Sequence, residues 1–108
     1  MASSYKVLGQ VLPAATTATT LYTVPAATQA VASTLSICNQ GVTTTIRVAV
    51  RPAGAALAAQ HYIVYDNYIN ASDTLFLTIG VALSATDVVT VYADTATVSF
   101  GLFGSEIA

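Results

Sequence analysis

Charge is what this sequence has least of. Of its 108 residues only 7% are Asp, Glu, Lys or Arg, where an ordinary soluble chain carries about 25%. Three cations, Lys6, Arg47 and Arg51, stand against five carboxylates, Asp66, Asp73, Asp87, Asp94 and Glu106, for a net charge of −2. That balance argues against nucleic acid as a partner, because neutralising phosphates takes clustered Lys or Arg. There is no Trp, and only one Cys, one His and one Met. A single cysteine, Cys38, excludes an internal disulfide framework. Long apolar runs are also missing: Thr, Ser, Asn or Gln breaks every stretch short of the roughly 18 residues a membrane helix needs, so no membrane partner is expected. The opening MASSYKVLGQ lacks the apolar segment behind a basic start that marks a secretory signal.

What the chain does have is Ala, Thr and Val, with 55% hydrophobic residues overall. Disordered segments show the reverse balance, so the chain is expected to fold, and its length suits one domain with one core. The local period is two. In VASTLSIC (31–38), simple alternation puts Val31, Ser33, Leu35 and Ile37 on one face and Ala32, Thr34, Ser36 and Cys38 on the other. In TTTIRVAVR (43–51), Ile46, Val48 and Val50 face one way, and Arg47, Ala49 and Arg51 the other. Further strands are read at 60–66, 74–79, 87–93 and 96–103, and two more near the start, at SYKVLGQV and TLYTV. About eight short strands with no helical period predict an all-β, single-domain antiparallel β-sandwich, jelly-roll-like.

The connections fit this reading. Asn39-Gln40-Gly41, Asn70-Ala71-Ser72-Asp73 and Asp94-Thr95 are turn formers, the last read as a tight hairpin between the final two strands. AGAALAAQ (53–60) is read as a loop with at most one turn of helix, being too short to hold a helix alone. The small-residue stretch LPAATTATT, bounded by Pro13 and Pro25, predicts an extended N-terminal arm over residues 1–20, which reaches a neighbouring subunit or surface, with the sandwich occupying 21–108.

Catalysis finds little support. A thiol–imidazole pair could come only from Cys38 and His61, and no local signature flanks either. No GxSxG elbow and no Gly-rich phosphate loop occurs, and the five carboxylates fall at expected strand ends or turns, where solvated capping is the default. The reading is a non-enzyme, with no catalytic residue, cofactor or metal. The oxygen-rich run Asp66-Asn67-x-x-Asn70-x-x-Asp73 matches no EF-hand spacing. Asn70-Ala71-Ser72 fits a glycosylation acceptor, a motif short enough to arise by chance. HYIVYDNYIN places Tyr62, Tyr65 and Tyr68 beside Asp66, Asn67 and Asn70. That mix suits a contact with a neighbouring subunit, where Tyr is enriched, and secondarily a glycan, whose rings stack on aromatics. Arg47 and Arg51, about 13 Å apart along one strand face, each need a separate acidic partner, and an assembly interface is one place to find it. These five, Arg47, Arg51, Tyr62, Tyr65 and Tyr68, are the candidate interface residues.

Taken together, LYTVP (21–25), IRVAVRPAGAAL (46–57), QHYIVYD (60–66), LTIGVALSATDVVTVYA (77–93) and the ending SFGLFGSEIA resemble small virion proteins of tailed bacteriophages, in particular phages of cyanobacteria and other aquatic hosts. The resemblance spans residues 5–108 as an overall pattern and carries over no functional residue. It implies a structural protein of the virion: a decoration (cement) protein on the capsid surface, or else a tail, baseplate or fibre component, which could recognise a carbohydrate receptor. The absence of heptads and of glycine-rich repeats favours decoration over a fibre shaft. The implied partners are the major capsid protein, other virion proteins and further copies of the chain, with a homotrimer expected from local capsid symmetry.

Overall fold

Alternating β-branched and aromatic residues, punctuated by Asn, Asp and Gly, form eight strands in the computed structural model, which describes residues 3–108. They are β1 (Ser3–Val11), β2 (Thr19–Thr23), β3 (Gln29–Asn39), β4 (Thr44–Arg51), β5 (Tyr62–Ile69), β6 (Thr74–Leu83), β7 (Val88–Ala93) and β8 (Val98–Ile107). β1 pairs with β8, β2 with β7, β3 with β6 and β4 with β5, all antiparallel. β3–β8 and β4–β7 pairings complete two four-stranded sheets, β1-β8-β3-β6 and β2-β7-β4-β5. The predicted all-β antiparallel sandwich of eight strands is what forms. The pairing is nested, from β1 with β8 on the outside to β4 with β5 on the inside. A radius of gyration of 13.4 Å matches the value of about 13 Å for one domain of this length.

The core lies between the sheets. Leu35 and Ile37 from β3, Ile46 from β4, Val91 from β7, and Phe100 and Leu102 from β8 are all at most 1% exposed. Full burial of each such side chain stabilises the fold by about 1.5–3 kcal/mol. The alternation read in β4 holds, with Ile46 and Val48 buried inward.

Four readings need correction. Against β8 the register of β3 shifts between Ala32 and Thr34, so Ser33 is an extra residue in a bulge. The bulge inverts the faces on its N-terminal side: Ala30 and Ala32 are buried with Leu35 and Ile37, whereas Val31 and Ser33 point outward. Gly104 lies opposite Ala32, where a Cβ would collide with the Val31 carbonyl oxygen. The second correction concerns the arm over 1–20. Residues 3–11 are β1, paired along its length with β8, and Thr19 and Thr20 already belong to β2. Of residues 3–20 only 12–18 lie between strands, and residues 1–2 lie outside the described residues. β1 is the strand read at SYKVLGQV, and it is mostly exposed because it is an edge strand. Third, β7 and β8 lie in opposite sheets, so Asp94-Thr95 begins a crossing between layers and not a hairpin. Finally, Asp66 does not end its strand, since β5 continues to Ile69, whereas Glu106 does stand at the end of β8, one residue before Ile107. The loop at 53–60 does contain only single 3-10 turns, Pro52–Gly54 and Ala59–His61.

One polar side chain ties the layers together at one end. Asn39 is 1% exposed. Its Nδ2 donates to the carbonyls of Val42 (2.7 Å), Asn70 (3.1 Å) and Ile69 (3.3 Å). Its Oδ1 accepts from the Gly41 N–H (3.0 Å) and the Thr97 hydroxyl (3.1 Å). The β3–β4, β5–β6 and β7–β8 connections therefore converge on this amide. Nothing in the sequence distinguishes Asn39 from an ordinary turn asparagine.

Candidate functional site

The two outer faces differ sharply in chemistry. On the β1-β8-β3-β6 sheet, only Lys6 and Glu106 are charged. Both belong to inward register positions, since Lys6 lies opposite Gly104 and Glu106 opposite the buried Ala30. Their charges meet at 2.7 Å, and Glu106 also accepts the hydroxyl proton of Tyr22, a β2 residue that is 7% exposed. Lys6, then Tyr22, hold the Glu106 carboxyl below its ordinary value. Burial, then the hydrogen bond to Glu106, push the Tyr22 phenol well above its own. The outward positions of this sheet are left with no charge at all. They expose Phe76 (70%), Tyr5 (87%), Val7 and Val31 among Ser, Thr and Gln. A shallow depression of about 370 Å³ lies beside them, lined by Gln10, Leu12, Ser36, Ser99 and Gly101. Gly101 makes that hollow, because a Cβ there would sit 2.7 Å from Ser36 Oγ. Four strands of about ten residues give a sheet face roughly 19 Å by 33 Å.

The β2-β7-β4-β5 face is organised around Arg47. Its Nε donates to Asp66 Oδ1 at 2.6 Å and its Nη2 to Oδ2 at 3.3 Å, a forked pair. The guanidinium is stacked between two rings, 4.4 Å from the centroid of Tyr65 and 4.6 Å from that of Tyr92. Tyr62 meets Tyr65 edge to face, with centroids 4.9 Å apart and planes at 76°. The hydrogen bond to Asp66 holds the guanidinium still more firmly protonated. The Tyr92 phenol donates to Asp94 Oδ1 (3.3 Å), and its burial, then this bond, raise it above its ordinary value.

This arrangement depends on two irregularities in β5. Strict alternation would place Tyr62 and Tyr68 on one face and Tyr65 on the other. Ile46 pairs with Asn67 but Val48 with Val64, so Tyr65 and Asp66 together oppose Arg47. Asp66 takes a left-handed conformation there (φ 49°), one that Asp tolerates better than most residues. A second shift, with Val48 opposite Val64 but Ala49 opposite Tyr62, leaves Ile63 as an extra residue. The two bulges bring all three tyrosines onto the outward face, Tyr65 against Arg47, Tyr62 against Tyr65 and Tyr68 opposite Thr45, while Val64 turns toward the core.

By register the structure places all five candidate residues on one face, Arg47, Tyr62, Tyr65 and Tyr68 toward one end and Arg51 four residues further along β4. The carboxylate that Arg47 meets is Asp66 of the same chain. Arg51 makes no ion pair among the described residues, and its Nε is buried without a hydrogen-bond partner. Tyr92, Asp66 and Asp94 complete the cluster. The Arg47–Tyr92 opposition across β4 and β7 was beyond the reach of sequence alone, because it needs the sheet order. Beside Tyr62 and Tyr65 runs an open groove of about 550 Å³, walled by Leu57, Ala58 and Ala59. The His61 ring holds that wall by accepting the Ala58 N–H at Nδ1 (3.1 Å).

Cys38 and His61 are not brought together. Cys38 adjoins Asn39, which bonds the C-terminal end of β5, whereas His61 precedes the N-terminal end of that strand, about 25 Å away. Among the described residues no three His, Cys, Asp or Glu side chains gather as a metal site, and no helix is long and apolar enough to cross a membrane. Asp73 and Asp87 accept backbone N–H groups in turns. No protein-family model, curated protein or solved structure matches the chain.

Proposed function

We propose that this protein is a non-enzymatic structural component of a tailed-phage virion, a capsid decoration protein that binds the major capsid shell and stabilises it as a homo-oligomer. The observation that carries this reading is the charge-free outer face of the β1-β8-β3-β6 sheet, with Phe76 and Tyr5 exposed on it. A free soluble sandwich normally guards such a face and its edge strands with charge. Here the outward positions carry no charge and the edge strands β1 and β6 hold only Lys6, which is paired with Glu106, and this suits a surface covered in an assembly. In projection the face is on the order of 600 Å², and its side chains add to that, close to the 800 Å² per partner of a standard interface. The sequence resemblance to small virion proteins supplies the setting, and a trimer fits local threefold symmetry in a capsid. The same two faces would also serve a tail or baseplate position, and the exposed tyrosines on the second sheet favour that alternative where receptor contact is the role.

The test uses the virion encoded with this chain, stripped of the protein and reloaded with variants. Phe76→Lys and Tyr5→Lys place a charge in the proposed contact and are expected to abolish loading, with the isolated fold unchanged by circular dichroism. Loading of both variants at wild-type occupancy would remove this face from the assembly and the proposal with it.

A further inference from the structure

We infer that the tyrosine face of the second sheet is a binding site for a neutral, pyranose-containing glycan. This inference stands apart from the capsid reading, since it concerns the isolated chain. Three observations carry it. The rings of Tyr65 and Tyr92 are held against the Arg47 guanidinium, and Tyr62 is fixed edge-on to Tyr65, so the platform is ordered before a ligand arrives. Tyr65 and Tyr68 are nonetheless 59% and 73% exposed, which leaves ring surface open. A pyranose presents a face of axial C–H groups whose positive hydrogens suit the negative face of an aromatic ring.

The polar groups point the same way. Sugar hydroxyls both donate and accept, and the Asp66 carboxylate has lone pairs beyond the two that Arg47 uses. The hydroxyls of Tyr62, Tyr65 and Tyr68 make no hydrogen bond among the described residues, leaving each as a donor and acceptor. Charge selects the class of ligand. Arg47 is already neutralised by Asp66, and Asp94 lies beside Tyr92, so within the tyrosine cluster no unpaired cation attracts a phosphate, sulfate or uronate; Arg51 stands four residues further along β4, about 13 Å from Arg47. The groove between the Leu57-Ala58-Ala59 wall and the rings of Tyr62 and Tyr65 has a volume of about 550 Å³, in the range of small-ligand sites.

A second copy of the chain is the poorer occupant. Packing a protein surface onto this face would bury an ion pair whose remaining lone pairs need partners. Sugar hydroxyls supply those partners, and the charge-free sheet opposite is the better protein-contacting surface. The bulge at Tyr65-Asp66 is consistent with the same role. Irregularities that re-aim side chains collect near binding sites, and here one turns a ring and a carboxylate together onto the cation.

The experiment is a ¹H–¹⁵N titration of the full chain with methyl glucoside, methyl galactoside, methyl mannoside, maltohexaose and laminarihexaose in turn. Heparin and inorganic phosphate serve as anionic probes. At least one neutral sugar is expected to shift the amides of residues 57–59, 62–68 and 90–92 saturably, with a dissociation constant on the order of 1 mM. Tyr65→Ala should weaken that binding at least about tenfold, and Tyr5→Ala on the opposite sheet should leave it unchanged. Tyr68→Ala removes an exposed ring without touching Arg47, so it should also weaken binding, and it serves if Tyr65→Ala unfolds. Any of four results overturns the inference: no saturable shift with any neutral sugar, equal shifts around Tyr5 and Phe76, saturation only with an anionic probe, or movement of the same amides on dilution without sugar, which identifies a second copy as the occupant.

Discussion

Replacing Asn39 by Ala would remove one amide that binds three connections at once. Its Nδ2 faces three carbonyls but has two hydrogens, so two full bonds are the most it can donate, and Oδ1 accepts two more. At a net value of about 1 kcal/mol each, four bonds amount to about 4 kcal/mol. The carbonyls of Ile69, Asn70 and Val42 would lose their partner at a site where Asn39 is 1% exposed, and water entering the vacated space can replace it only in part. Domains of this size are stable by about 5–15 kcal/mol, so the change removes a large share of the total. Urea unfolding, followed by tyrosine fluorescence and far-ultraviolet circular dichroism, is the assay. With a slope of about 2 kcal/mol per molar urea, the midpoint is expected to fall by about 2 M. Gln40→Ala, which loses only an exposed 3.3 Å contact to Ser99, is the control and should stay within about 0.5 kcal/mol of the parent. A loss below about 1 kcal/mol for Asn39→Ala would refute the reasoning, because the connections would then be held without the amide.

Deleting residues 2–11 removes a whole strand. β8 becomes an edge, and Leu8 and Val11 no longer cover the core, so the truncated chain is expected to lose its cooperative thermal transition. A transition at the parent temperature, seen by circular dichroism, would return β1 to the status of a detachable arm. The Lys6–Glu106–Tyr22 cluster makes stability depend on pH at both ends. Glu106 titrates below 4.5 in the fold, so its contribution is present at neutral pH and lost as pH falls through the lowered value. Tyr22 titrates above 10.0, so its contribution is present below pH 10 and lost as pH rises past it. Thermal melts against pH should show both declines in the parent. Tyr22→Phe should shrink the alkaline one, and an unaltered profile would mean that the cluster does not couple to folding.

The architecture was legible in composition and period. β-branched residues alternating with polar ones, and turn formers at short intervals, lead to the all-β antiparallel sandwich, and the inward set of β4 reads off directly as Ile46 and Val48. What period alone cannot show is a bulge. Ser33 inverts half of β3, and the extra residues in β5 carry Tyr65 to the side of Tyr62 and Tyr68. A strand that alternates perfectly on paper gives no sign of where one residue is looped out, because that depends on the partner strand. Pairing between distant segments is hidden for the same reason. Arg47 meets Tyr92 only because β4 lies beside β7, and Glu106 meets Tyr22 only because the two sheets face each other. The strand at SYKVLGQV was legible, but its place in the sheet was not: its outward side chains lack the half-buried alternation that marks a docked strand, so residues 1–20 also fitted an arm. The tyrosine cluster itself was visible as three rings at regular spacing, but its anchoring on Arg47 was not.

The most direct test of the account is a cryo-EM reconstruction of the intact virion encoded with this chain. The account expects eight-stranded density on the outer capsid surface, with Tyr5 and Phe76 of the β1-β8-β3-β6 sheet against the shell and Tyr65 turned to solvent. Density for this chain with that sheet facing solvent, or its absence from the virion altogether, would contradict it.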